Sequence, residues 1–329
     1  MATSRLTTLL DNGTPRLPDT GRILLLGPQA DTDLSALPRD RCHVVQTFRP
    51  DHDALAARGF DCATAPDGPY AAAVVFLPRA RELGQSWIAQ ACTLTDGPVV
   101  VDGQKTDGIE SMLKHLRPRV ALDGQISKAH GKAFWFGSTD ALADWAGPET
   151  LGIDGGWHTA PGVFSADGVD PASQLLAGSL PRKLGPAVAD LGAGWGYLSA
   201  RMLERDDIQT LHLVEADHTA LDCARLNVTD DRARFHWADV PGWEFPERLD
   251  AVVMNPPFHT GRKADPALGR AFIAAAARML KPTGQLWLVA NRHLPYETEL
   301  GERFAQVTEA AGDNRFKVLQ AQRPTRARR

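Results

Sequence analysis

Cysteine is scarce in this chain of 329 residues: Cys42, Cys62, Cys92 and Cys223 stand far apart, with none of the paired spacings that hold a metal. A disulfide scaffold and a zinc site are therefore not expected, and thiols so placed suit a reducing compartment such as the cytoplasm. Long hydrophobic runs are absent too. No stretch reaches the ~18 apolar residues of a membrane span, and Met1 to Asp11 lacks the basic start and apolar core of a secretory leader. Nor is there a large charge of one sign. The formal net charge is −4, which excludes a protein that coats nucleic acid by charge alone. Basic side chains gather only locally, at Arg262-Lys263 and in the tail Arg323, Arg326, Arg328 and Arg329. Such clusters suit phosphate contacts and solvated surface equally well.

What is present is a set of residues placed at the ends of apolar runs. Ala251-Val252-Val253-Met254 reads as a buried strand, and Asn255-Pro256-Pro257-Phe258 follows it. Two prolines cannot extend a central strand, so the strand must stop there. The Asn255 amide oxygen and the Pro256 carbonyl then form a pair of acceptors suited to a planar NH2 group, with Phe258 as a flat apolar face. Upstream, Val188-Ala189-Asp190-Leu191 leads into Gly192, Gly194 and Gly196, a strand followed by a glycine-rich turn and the start of a helix. Those glycines let the backbone turn sharply and approach a ligand. Glu215 closes the next apolar run, Leu211 to Val214, where a dinucleotide-type fold places its ribose-hydroxyl ligand. Asp239 closes a third run, Ala233 to Trp237. Glycine turn, acid, acid and Asn-Pro-Pro-Phe, each at a strand end, is a far more specific order than any one of its members.

This order resembles that of class I S-adenosylmethionine-dependent methyltransferases acting on planar nitrogens. It is most similar to the ribosomal RNA small-subunit guanine-N2 methyltransferase C family. Pro161 to Leu176 and Val289-Ala290-Asn291-Arg292-His293-Leu294-Pro295-Tyr296 carry the same resemblance, which is motif-specific over residues 160–322. It implies S-adenosylmethionine as the cofactor, bound by Asp190, Gly192, Gly194, Gly196, Glu215, Asp239 and Asn255. It implies a catalytic set of Asn255, Pro256 and Phe258. The substrate side would comprise Pro257, Phe258, Phe164, His259 and Arg262, with ribosomal RNA or a ribosomal subunit as partner and neither metal nor membrane involved. Asp239 also suits a turn or helix cap, and Asp167 and Gln174 suit either the cofactor pocket or a structural role. Related chemistries remain open at this point: large-subunit guanine-N2, adenine-N6 or protein glutamine-N5 methylation, or a non-catalytic assembly role.

The halves read as distant copies of one plan. Ala72 to Pro78, a helix over Leu83–Leu94, an Asp96-Gly97-Pro98 turn and Val99–Val101 parallel Asp250 to Pro257, a helix over Leu268–Leu280, Pro282-Thr283-Gly284 and Gln285–Ala290. Each half ends in a candidate hairpin. In the first copy Leu77 stands where Asn255 would be, and Leu24-Leu25-Leu26-Gly27-Pro28-Gln29 replaces the glycine turn. The expected fold is α/β, with two tandem Rossmann-like methyltransferase folds of seven-stranded, mostly parallel sheets, the N-terminal one degenerate. The expected boundaries are 1–146 for the degenerate domain, 147–162 for a linker and 163–329 for the catalytic domain. A monomer containing an internal pseudo-dimer is expected.

Overall fold

The computed structural model describes residues 4–245, 247–257, 259–260, 263–264 and 266–325, the short pieces 259–260 and 263–264 by backbone only. The chain divides into two compact units, Met1–Glu149 and Thr150–Arg329.

The first unit contains strands β1 (Ile23–Leu26), β2 (Cys42–Val45), β3 (Asp61–Ala63), β4 (Ala72–Phe76), β5 (Pro98–Gln104), β6 (Gly124–Lys128) and β7 (Gly131–Gly137). Its helices are α1 (Arg5–Asp11), α2 (Arg49–Ala57), α3 (Arg81–Leu94) and α4 (Ile109–Leu116). The sheet order is β3-β2-β1-β4-β5-β7-β6, with every neighbouring pair parallel except β5–β7 and β7–β6, so that β7 runs against the rest. Strands such as Ile23–Leu26 are buried at every position, because helices cover both faces of a parallel sheet. One face packs Ala73, Val75 and Leu77 against Ile88, and the other packs Ala72, Val74 and Phe76 with Leu6 and Leu9.

The second unit opens with a ribbon, β8 (Leu151–Ile153) and β9 (Trp157–Thr159), turning through Gly155 and Gly156, both at left-handed φ. Residues 147–162, expected as a linker, thus contain ordered structure. Trp157 lies against Trp195 and Tyr197, and the Asn227 amide bonds both the N–H and the carbonyl of His158. The remaining strands are β10 (Ala187–Leu191), β11 (Thr210–Glu215), β12 (Ala233–Trp237), β13 (Leu249–Met254), β14 (His259–Thr260), β15 (Lys263–Ala264), β16 (Leu280–Asn291), β17 (Phe304–Gly312) and β18 (Phe316–Pro324). The helices are α5 (Pro171–Ser179), α6 (Tyr197–Leu203), α7 (His218–Asn227), α8 (Pro266–Met279) and α9 (Tyr296–Arg303). The sheet order, β12-β11-β10-β13-β16-β18-β17, repeats that of the first unit, again with the last two strands antiparallel to their neighbours. No helix among the described residues is long and apolar enough to cross a membrane.

The repetition extends to single hydrogen bonds. Gly27 N donates to Val45 O at 3.0 Å, and Gly192 N donates to Val214 O at 2.8 Å. Gln46 therefore stands in the place of Glu215. Each uses a side-chain oxygen to accept the N–H two residues on, from Phe48 and Asp217 respectively, at 2.9 Å. Sheet register corrects one expected correspondence. Leu25 lies opposite Val74 as Asp190 lies opposite Val253, so the residue in the place of Asn255 is Phe76, not Leu77. Leu77 points to the other face and is buried in the α3 core. Aligning the copies on their prolines shifted the match by one residue, and a shift of one changes the face of a strand.

An imidazole pair lies in the second sheet. His212 is 5% exposed, and its Nδ1 is 2.9 Å from His236 Nε2, under Trp243 and Phe245. Burial pushes His212 down to about 4 and lowers His236 as well. The unfolded chain takes up the His212 proton near its ordinary value of 6.5 and the folded chain only near 4. This contribution to stability is complete above pH 6.5 and is lost as pH falls from there toward 4. A His212→Phe variant isolates it from the carboxylates. Urea unfolding should show wild type losing on the order of 2 kcal/mol more than the variant between pH 7 and pH 4.5.

Candidate active site

Strands β12, β11, β10 and β13 are parallel neighbours, so their C-terminal ends form one edge, the edge where open α/β sheets bind ligands. The glycine turn leaves β10 there. Gly192, Gly194 and Gly196 have φ of +74°, +55° and +93°, a region closed to most side chains. Gly192 N and Ala193 N both donate to Val214 O, which turns the chain across the end of β11. Glu215 then fastens the turn. Its Oε2 accepts from Gly194 N at 2.8 Å, and its Oε1 accepts from Asp217 N at 2.9 Å. A carboxylate offers about four lone-pair positions, so each oxygen keeps capacity for a ligand hydroxyl. Burial raises the Glu215 pKa above its ordinary value.

Asp190 lies beneath the turn and is wholly buried. Its Oδ2 accepts from Ser199 Oγ at 2.6 Å, tying β10 to α6, while Oδ1 has no hydrogen-bond partner among the described residues. Burial, with Glu215 adding a smaller repulsion, pushes Asp190 up to about 7. Asp239 follows β12 and opens a single helical turn, Val240–Gly242, which its side chain does not cap. Trp237 Nε1 donates to Ala216 O at 2.8 Å and joins the ends of β12 and β11.

Asn255 follows β13 directly, where the prolines end the strand. Its Nδ2 donates to Asp170 Oδ2 at 2.9 Å and to Ser173 Oγ at 3.0 Å. Pro256 is buried and Pro257 exposed. His259 belongs to the β14–β15 ribbon. Phe258 and Arg262 lie outside the described residues. Phe164 is 57% exposed, an unusual state for so large an apolar group. Its carbonyl accepts from Trp195 Nε1 at 3.1 Å, so the segment preceding α5 is tied to the glycine turn. Among the described residues no cluster of His, Cys, Asp and Glu can hold a metal ion.

Sequence reasoning points to Asp167 and Gln174, both exposed, and misses Asp170 and Ser173 beside them. The signal was available in Asp170-Pro171-Ala172-Ser173. Asp170 caps α5 by accepting from Ser173 N at 2.8 Å, with proline at the first helical position. A cap explains the aspartate by itself, so nothing in the sequence pointed onward to Asn255.

Residues 155–320 match the model of the methyltransferase small domain. A ribosomal RNA small subunit methyltransferase C of Hahella chejuensis is 31% identical, covering 92% of this chain and 95% of its own. That of Pseudomonas aeruginosa is also 31% identical, over 92% and 94% of the two chains. The chain belongs to the ribosomal RNA small subunit methyltransferase C family. Its fold agrees with that of a solved relative, the T. thermophilus 16S rRNA guanine-N2 methyltransferase bound to S-adenosylmethionine and guanosine. The two superpose with a TM-score of 0.76 and 26% identity, over 97% of this chain and 92% of the other. The methyltransferase C relatives therefore match along both units, including the first, which lacks the glycine turn.

At Gly196 an added Cβ would lie 3.0 Å from Val228 Cγ2 and 3.2 Å from Ala224 Cβ, at a left-handed φ. Gly196→Ala should destabilise the second unit by about 2 kcal/mol, mostly from the left-handed backbone. Gly194→Ala meets no atom within 4 Å and should cost less. Thermal melts of the two variants check the order.

Proposed function

We propose that this chain transfers a methyl group from S-adenosylmethionine to the exocyclic N2 of a guanine in small-subunit ribosomal RNA. The observation that carries the reading is the placement of Asn255 and Pro256 at the end of β13, beside the glycine turn and Glu215 at the ends of β10 and β11. Membership of the methyltransferase C family supports it, as does the relative solved with both S-adenosylmethionine and guanosine.

The residues fit the cofactor. Space lies open beside Gly194, where an added Cβ would meet nothing within 4 Å. Glu215 has lone pairs left to accept the ribose hydroxyls. The orphaned Asp190 Oδ1 is a buried acceptor with unmet capacity, suited to the cationic end of the cofactor directly or through water. Asp239, just past the end of β12, would accept from the adenine amino group. When bound, S-adenosylmethionine supplies an electrophilic methyl on a sulfonium.

The guanine amino nitrogen is a weak nucleophile, because its lone pair is delocalised into the ring. Asn255 Oδ1 and the Pro256 carbonyl would accept its two hydrogens and favour a pyramidal nitrogen. They would also stabilise the positive charge that develops as the N–C bond forms and the S–C bond breaks. The proton can leave to water afterwards, so no dedicated base is required. Holding nitrogen, methyl and sulfur in line supplies much of the remaining acceleration. Phe258, Pro257 and Phe164 would offer apolar surface to a base unstacked from the RNA, with His259 and Arg262 nearby in sequence for its backbone.

The test is transfer of labelled methyl to small and large subunits and total protein from cells lacking the gene, followed by digestion to nucleosides. Label in N2-methylguanosine from the small subunit is expected. Label in protein, or in the large subunit alone, would overturn the reading. Calorimetry should find one S-adenosylmethionine per chain, because Gln46 Nε2 bonds Pro28 O at 2.7 Å across the matching turn of the first unit. A stoichiometry of two would show that the first unit retains a site.

A further inference from the structure

An asparagine amide can face a substrate in two ways, and only one serves this chemistry. With Oδ1 outward, Asn255 accepts from an amino group. With Nδ2 outward, it presents hydrogens to hydrogens. We propose that Asp170 and Ser173 are positioning residues that hold the Asn255 amide with its oxygen toward the methyl acceptor. The inference rests on the function proposed above.

A carboxylate only accepts, so the face of Asn255 that meets Asp170 must be its NH2 group. Nδ2 donates there at 2.9 Å and to Ser173 Oγ at 3.0 Å, which uses both amide hydrogens inside the protein. Turning the amide over would set its oxygen against Asp170 Oδ2 and lose that bond, whereas the Ser173 hydroxyl can donate as well as accept, so the carboxylate selects the orientation and Ser173 fixes its direction. Ser173 is buried, and the Asp170 carboxylate is itself fixed by its cap to Ser173 N, so the acceptors cannot easily follow a turned amide.

The degenerate unit carries the counterpart. There α1 packs on β6 and β7 as α5 packs on β17 and β18. Its cap is Ser4, accepting from Thr7 N, where α5 has Asp170 accepting from Ser173 N. Phe76 replaces Asn255 in that unit, and the carboxylate at the cap is gone with the amide.

Asp170→Asn is the informative variant. Asparagine caps a helix as well as aspartate and has the same shape. Oδ2 of Asp170 accepts from both Ser173 N and Asn255 Nδ2, so an asparagine whose oxygen keeps the cap lacks the charge that selects the orientation, and one that turns its NH2 there holds Asn255 the wrong way round. At saturating substrates kcat should fall about tenfold or more, as expected for removing a charged acceptor that selects one orientation. Tm, the S-adenosylmethionine Kd and the KM for RNA should stay near wild type. Ser173→Ala should lower kcat by a smaller factor, on the order of threefold, since it removes a neutral acceptor. A wild-type kcat in Asp170→Asn would overturn the proposal, as would a fall in kcat matched by an equal loss of cofactor affinity.

A readout independent of turnover separates this inference from the functional reading. In a 15N-labelled protein, the Asn255 side-chain NH2 signals, identified by their loss in Asn255→Ala, should exchange slowly in wild type and faster in Asp170→Asn. Exchange in wild type as fast as that of an exposed asparagine would overturn the held amide, whatever reaction the enzyme performs. Slow exchange in an enzyme that makes no N2-methylguanosine would instead overturn the reaction and leave the held amide standing.

Discussion

A parallel sheet brings the C-terminal ends of its strands to one edge, and the site depends on that constraint. Residues separated by up to 65 positions, from Asp190 to Asn255, become neighbours because β10 and β13 run side by side in the same direction. Each strand end then needs only a short local device. A glycine turn ends β10, a carboxylate ends β11 and two prolines end β13. Glu215 joins the first two devices by accepting the N–H of Gly194, and α5 supports the third through Asp170 and Ser173.

The two units show how little separates a site from a scaffold. Both have the same sheet order and the same bond from the turn to the second strand. In the first, Pro28 and Gln29 occupy the turn, Gln46 binds the turn's own carbonyl, and Phe76 stands at the register position of Asn255. An added Cβ at Gly27 would fall 2.3 Å from the Trp87 ring, whereas at Gly192 the aromatic facing it, Phe272, is 3.3 Å away. The bulkier indole narrows the space beside the first turn. These changes leave both sheet cores packed.

Much of this was legible in the sequence. Glycines, an acid and Asn-Pro-Pro at the ends of apolar runs betray themselves, because each breaks a strand in a manner that packing alone does not require. The duplication was legible from its spacing. What could not be read was whatever depends on register or on a shared role. Phe76 and Leu77 are both apolar and adjacent, so only the ladder opposite Leu25 decides between them. Asp170 looks like a complete helix cap, which hid its second bond. The glycines of residues 147–162 resemble a linker, and their spacing gives no sign that Trp157 among them packs on Trp195.

The most direct test of the account is a single-turnover measurement of methyl transfer by Asn255→Ala at saturating S-adenosylmethionine and RNA. The account predicts a rate at least about 100-fold below wild type, the scale of removing one preorganised electrostatic contact, with cofactor affinity held within a few-fold. Transfer at the wild-type rate would contradict it.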